Sequence, residues 1–205
     1  MKKGVFITFE GADGSGKTTQ IAKTAEWFKS LGYEVVCTRE PGGTPAAEKI
    51  RNLVLDANLK IAHQTETLLY LAARADHMAQ LIKPSLEAGK IVLCDRFSDS
   101  TFVYQGCGRG VPLASLKMLD SFATGALVPA LTVLLDGDPE ALLARRIKRA
   151  VSDKFELEGI AFQQKIRAAF LALAEQEPER IFVVDALQEE AAVTAAILAR
   201  LSKVF

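Results

Sequence analysis

Eight residues near the N-terminus, Gly11-Ala12-Asp13-Gly14-Ser15-Gly16-Lys17-Thr18, combine glycines, a lysine and a hydroxyl at the spacing G-x-x-x-x-G-K-T. The chemistry this combination serves is phosphate binding. Glycines at 11, 14 and 16 let the backbone turn tightly and aim N–H groups at phosphate oxygens, Lys17 adds a point charge, and Thr18 offers a hydroxyl to Mg²⁺. The phosphate-binding set extends through Thr19. An apolar run, Val5 to Phe9, precedes the loop and a helical pattern follows it. In that context the natural guest is a nucleoside triphosphate.

Two further groups bear on the same chemistry. Asp95-Arg96-Phe97 ends another apolar run, and an aspartate at a strand tip beside a P-loop can hold Mg²⁺ or its water shell while Arg96 faces the phosphates. Without the P-loop, the same residues would read as a helix-capping Asp with a surface Arg. The cluster Arg145 to Arg149, RRIKR, closes a helix and runs into VSDKFE. Basic residues ending a helix also satisfy its dipole. In a P-loop enzyme of this length they read better as a mobile lid at about 145–160 whose arginines reach the transferring phosphoryl group. His63 and His77 have no third residue at metal-ligand spacing, so neither reads as a ligand.

The elements that must position these residues follow from the apolar pattern. Five short runs, Val5 to Phe9, Val35 to Cys37, Ile91 to Cys94, Leu131 to Leu135 and Ile181 to Val184, are candidate buried strands separated by helical patterns. Strands alternating with helices imply a P-loop NTPase-type α/β fold, a parallel five-stranded sheet flanked by helices on both faces. Ligands then bind at the carboxyl ends of the strands, where the motifs lie. Thr44-Pro45 and Asp138-Pro139 each read as an N-cap followed by proline at the first helical position. Ile21, Ala25, Phe28 and Leu31 share one helix face that Gly32 ends, with Trp27 beside it as packing. The segment from Glu66 to Lys83 is apolar around much of its circumference, which implies deep burial or half of a subunit interface.

Residues 1–205 read as a single domain, with no repeat, low-complexity tract or linker. The 25 basic and 25 acidic side chains cancel, which argues against a nucleic acid or a membrane as the main partner. Three cysteines form no C-x-x-C pair and leave an odd count, which suggests reduced thiols in a cytoplasm, with Cys37 and Cys94 in the core. The N-terminus does not read as a signal peptide, and no segment has the apolar length of a membrane span.

Taken in order, FEGADGSGKTTQ, REPGGT, LLYLAARADH and DRFSDSTFVYQG resemble the motifs of thymidylate kinases, the P-loop kinases that phosphorylate dTMP with ATP. The resemblance covers nearly the whole chain and is most specific at REPGGT and DRFSDSTFVYQG. It is closest to the bacterial subtype, because Gly14 stands where the other subtype has a basic residue and the phosphate-clamping arginines fall in the lid. One cation near the β,γ-bridge is needed whichever loop supplies it. The resemblance implies that Lys17 and Thr18 meet ATP phosphates and Mg²⁺, and that Asp13 meets the sugar 3′-hydroxyl of dTMP or a metal-bound water. It implies that Arg51 and Arg96 hold the dTMP phosphate, with Glu40 and Pro41 also at the substrate. It implies that Tyr70 stacks on thymine while Arg74, one turn later on the same helix face, meets the base edge. It further implies that Ser100 and Gln105 complete base recognition and that the bulk of Tyr104, under the deoxyribose, opposes a 2′-hydroxyl. A homodimer is also implied.

Two positions depart from the family pattern. Its Pro-Asp before the fourth strand is Pro129-Ala130 here, and the lid's Asp-Arg is Asp153-Lys154. Lysine cannot make arginine's bidentate fork, which moves the catalytic clamp to Arg145 and Arg149, beside Lys17, Asp95 and Arg96. Other readings are a different nucleoside monophosphate or deoxynucleoside kinase, which should lack REPGGT and the Tyr70/Arg74 pair. A noncatalytic nucleotide-binding protein or switch is a further alternative, although a GTPase-type switch would need a guanine-reading NKxD motif that the chain lacks.

Overall fold

The computed structural model describes residues 4–147 and 159–204. Among them a parallel sheet of five strands runs in the order β2-β3-β1-β4-β5. The strands are β1 (Val5–Glu10), β2 (Val35–Arg39), β3 (Ile91–Asp95), β4 (Leu131–Asp136) and β5 (Ile181–Asp185). Every expected strand is present. Each runs one or two residues past its apolar stretch, and the added residues are polar: Glu10, Thr38 and Arg39, Asp95, Asp136 and Asp185. Phe9 of β1 and Arg39 of β2 both pair with Asp95 of β3, so these tips end side by side.

Strand burial follows position in the sheet. The central strand β1 alternates its side chains between two apolar clusters, with Ile7 and Phe9 on one face and Phe6 on the other. The edge strand β2 is only half covered, which corrects the expectation that Cys37 is core: it is exposed, whereas Cys94 on the inner strand β3 is buried.

The helices begin where the caps predict. The Thr44 hydroxyl accepts from the Ala47 N–H at 3.2 Å at the start of α2 (Pro45–Leu55), after α1 (Lys17–Ser30). Ile21, Ala25 and Phe28 of α1 are buried and Trp27 packs against the same cluster. Leu31 lies past the last turn and is 54% exposed, so the expected stripe ends at Phe28. The long apolar segment forms α3 (His63–His77), widened turns over Met78–Ile82, and α4 (Lys83–Glu87). Its inner face includes polar residues, Glu66, Thr67, Arg74 and His77, beside Leu71 and Ile82, while Leu68, Ala72 and Ala79 face outward. After β3 come the short α5 (Ser98–Thr101), further widened turns over Phe102–Gly108, and α6 (Leu113–Thr124). Helix α7 (Pro139–Ile147) starts at Asp138, whose carboxylate accepts from the Glu140 and Ala141 N–H groups. Helices α8 (Gly159–Gln176) and α9 (Glu190–Leu201) complete the cover of the sheet.

Candidate active site

The loop between β1 and α1 takes the conformation its glycines permit. Gly11, Gly14 and Gly16 have φ of 129°, 84° and 93°. At Gly11 space is limiting as well, since a Cβ there would sit 2.3 Å from the Leu135 carbonyl oxygen. Lys17 is buried at the start of α1, and its Nζ donates to the Gly11 and Ala12 carbonyls at 3.1 Å each, with Asp13 at 3.7 Å and Asp95 at 4.0 Å. Burial, with Arg96 nearby, pulls its ammonium below the ordinary value despite these carboxylates. A polyanion entering the loop therefore meets a buried cation whose neighbours among the described residues are two backbone carbonyls and two carboxylates. Thr18 is exposed beside it, and the buried Ser15 hydroxyl has no hydrogen-bond partner among the described residues.

The β3 tip brings Asp95 and Arg96 to the same place. Asp95 Oδ1 is buried and accepts no hydrogen bond among the described residues, so it could hold a hydrated divalent cation. Arg96 has a φ of 69°, unusual for a side chain with a Cβ, and this turns its guanidinium back across the P-loop. There Nη2 donates to Asp13 at 2.8 Å, Nη1 donates to the Ser100 hydroxyl at 3.2 Å, and the group lies 5.2 Å from the Tyr104 ring centroid. What holds this turn is Glu10, which the sequence reading missed. Its carboxylate accepts from the Phe97 N–H at 2.8 Å, the Ser100 N–H at 3.3 Å and the Ser100 hydroxyl at 2.6 Å. Burial, reinforced by Asp99, pushes Glu10 up to about 7 against the opposing pull of Arg96 and these hydrogen bonds. The signal available was an acid closing an otherwise apolar strand.

An open cleft extends from these residues toward α3. Asp13, Lys17, Asp95 and Arg96 line its P-loop side, and Tyr70, Arg74 and Gln105 its α3 side. Ser100, Tyr104, Glu40, Pro41 and Arg51 complete the wall. The structure thus brings the expected substrate residues together, although several are already engaged. Arg51 Nη1 donates to the Pro41 carbonyl at 2.9 Å. Arg74 is 2% exposed, donates to Glu40 and Asp120 at 2.7 Å each, and stacks on Phe97. Glu40 also meets His77 Nδ1 at 3.1 Å, and the other ring nitrogen of His77 meets Thr38. Glu40 is therefore a strut beneath the cleft that fixes Arg74, and Asp120, also missed by the sequence reading, is its counterpart on α6.

A second recess lies beside the loop, lined by Gly14, Gly16, Thr19, Arg145 and Gln188. Arg145 is expected at the transferring phosphoryl group, but in this structure its guanidinium donates to the carbonyls of Ala186 at 2.5 Å and Leu187 at 2.8 Å, where the chain has left β5. It does not line the cleft of Lys17 and Arg96. Arg149, Asp153 and Lys154 lie outside the described residues, as does most of the expected lid.

A phosphate loop following a central parallel strand, with a cleft lined by arginines and aromatic rings beside it, defines a P-loop nucleotide phosphotransferase. Residues 9–197 match the family model described as thymidylate kinase. The thymidylate kinase of Geotalea uraniireducens (strain Rf4) is 49% identical over 211 residues, covering 98% of this chain and 99% of that protein. That of Pseudomonas fluorescens (strain SBW25) is 50% identical over 195 residues, covering 95% and 93%. The crystal structure of thymidylate kinase from Ehrlichia chaffeensis superposes with a TM-score of 0.80 at 34% identity, covering 98% of this chain and 99% of that one. The chain belongs to the thymidylate kinase family.

Proposed function

We propose that the chain transfers the γ-phosphoryl group of ATP to dTMP across the space between Lys17 and Arg96, giving dTDP and ADP. The observation that supports this most directly is the single cleft uniting Lys17, Arg96 and Arg51 with Tyr70, Arg74 and Gln105. Lys17, the P-loop N–H groups and Thr18 hold the donor phosphates. Arg96 and Arg51 take the acceptor phosphate, Tyr70 stacks on the base, and Gln105 with the remaining N–H groups of Arg74 meets its edge. Asp13 holds Arg96 in place and faces the acceptor sugar. Mg²⁺ at Asp95 and Thr18 supplies neutralising charge to the phosphates.

The acceptor oxygen is already ionised near neutral pH, so no strong general base is needed. Catalysis then rests on positioning and on cations that meet the equatorial oxygens of the transferring group. The free thiols, two of them exposed, suit a reducing compartment such as the cytoplasm. A coupled ADP-release assay across nucleoside monophosphates tests the reading, with dTMP expected as the best acceptor. Its advantage over dUMP should be about fourfold if only one methyl group is buried. AMP or CMP as the best acceptor would overturn the assignment.

The second reading is a homodimer. Helix α3 packs between α2 and α6, and these three leave Leu53, Leu68, Met118 and Phe122 exposed. Phe122 is 89% exposed and lies one turn from Met118 on α6. Apolar side chains concentrated on adjacent helices are best covered by a second copy.

A further inference from the structure

The Gln105 amide is held from behind. Its Nε2 donates to Glu66 Oε1 at 3.4 Å, a contact between α3 and the widened turns after α5. Among the described residues the amide oxygen accepts no hydrogen bond, while Gln105 lines the acceptor cleft. Glu66 is buried and its Oε1 also lies 3.5 Å from Arg109 Nε, an ion pair on the side away from the cleft's P-loop wall. An ionised carboxylate only accepts hydrogen bonds. Turning the amide over would set its oxygen against that carboxylate in a buried site and leave the nitrogen facing the cleft.

We propose that Glu66 is a positioning residue that fixes the Gln105 amide oxygen toward the acceptor base, so that the enzyme selects bases with a ring N–H and rejects cytosine. The proposal rests on the reading that Gln105 meets the base edge. Thymine and uracil present a donor at N3, which an amide oxygen can accept from. Cytosine presents an acceptor there, and two facing acceptors repel. A glutamine free to turn would serve either base, since one end of its amide accepts and the other donates. Glu66 removes that choice without touching the nucleotide. It lies one helical turn before Tyr70, so a single face of α3 supports both the stacking ring and the orientation of the edge-reading amide.

Steady-state kinetics with dTMP and dCMP test this. In Glu66→Gln the carboxylate becomes an amide that can donate or accept, so Gln105 can turn. The kcat/KM ratio of dTMP to dCMP should fall at least about tenfold, through a higher KM for dTMP and a lower one for dCMP, with the KM for ATP unchanged. A merely structural loosening weakens both acceptors together and leaves the ratio unmoved, and that result overturns the proposal. If Glu66→Gln fails to fold with Arg109 facing a neutral partner, Glu66→Gln with Arg109→Met carries the same expectation. Gln105→Met separates the two levels. A higher dTMP KM in Gln105→Met with an unmoved ratio in Glu66→Gln sinks the orienting role alone. An unchanged dTMP KM in Gln105→Met sinks the reading of Gln105 as a base contact, and the proposal with it.

Discussion

Glu10 accepts a 2.6 Å hydrogen bond from the hydroxyl of Ser100, a residue 90 positions later, and so ties the central strand to the turn that presents Arg96. The same carboxyl is pushed up to about 7 by burial and by Asp99. A carboxyl whose folded value lies above its unfolded one binds more protons when folded, so its contribution is fully present below the unfolded value and is lost as pH rises through about 7. Glu10→Gln keeps an oxygen for the Phe97 N–H and a nitrogen for Ser100 without the charge. Urea unfolding across pH 5 to 8.5 should show the variant gaining on the unsubstituted protein as pH rises, by on the order of a few kcal/mol at the alkaline end. A difference that does not change with pH would contradict the assignment.

That tie explains what was legible in the sequence and what was not. Lys17, Asp95 and Arg96 stand out because phosphate chemistry demands their types beside glycines or at a strand tip. The strands stand out because buried parallel strands are short apolar runs. Glu10, Glu66 and Asp120 do not stand out, because a buried acid is defined by partners distant in the chain, Ser100, Gln105 and Arg74. The inner face of α3 mixes polar residues with apolar ones for the same reason, as Arg74 and His77 are buried together with Glu40 from the loop after β2, with Asp120 and Thr38 as their further partners. Cys37 shows the opposite error, since an apolar run does not reveal that its strand lies at the edge.

Arg51 gives a test of ground-state binding. It lines the cleft, and among the described residues its hydrogen bond to the Pro41 carbonyl is what fixes it from outside the substrate. In Arg51→Ala the KM for dTMP should rise about tenfold or more, while kcat at saturating dTMP changes by less than about threefold. Loss of kcat with an unchanged KM would place Arg51 at the transition state instead.

The oligomer is tested at Phe122. Sedimentation of the unsubstituted protein at micromolar concentration should give a dimer, and Phe122→Glu should weaken it by setting a charge into the apolar contact. Monomer alone in the unsubstituted protein would remove the homodimer, and an unaffected dimer in the variant would move the interface away from α6.

The two arginines assigned to the lid should separate in their kinetics. Arg145 is engaged with the Ala186 and Leu187 carbonyls and lines the recess beside Gly14 and Gly16, on the donor side of the loop. A residue there acts on ATP before and during transfer alike, so Arg145→Ala should raise the KM for ATP about tenfold with kcat held within about threefold. Arg149 lies in the segment expected from the sequence to supply a further cation, because position 14 of the P-loop is glycine rather than a basic residue. If it meets the phosphoryl group only in the closed transition state, Arg149→Ala should lower kcat and kcat/KM together by about a hundredfold, or about 2.7 kcal/mol. Lys154→Ala should change kcat much less, since a single ammonium cannot replace a bidentate guanidinium. A hundredfold loss in Arg145→Ala with none in Arg149→Ala would mean that Arg145 leaves its carbonyl partners on closure and is itself the clamp. A comparable loss in Lys154→Ala alone would give that role to the lysine.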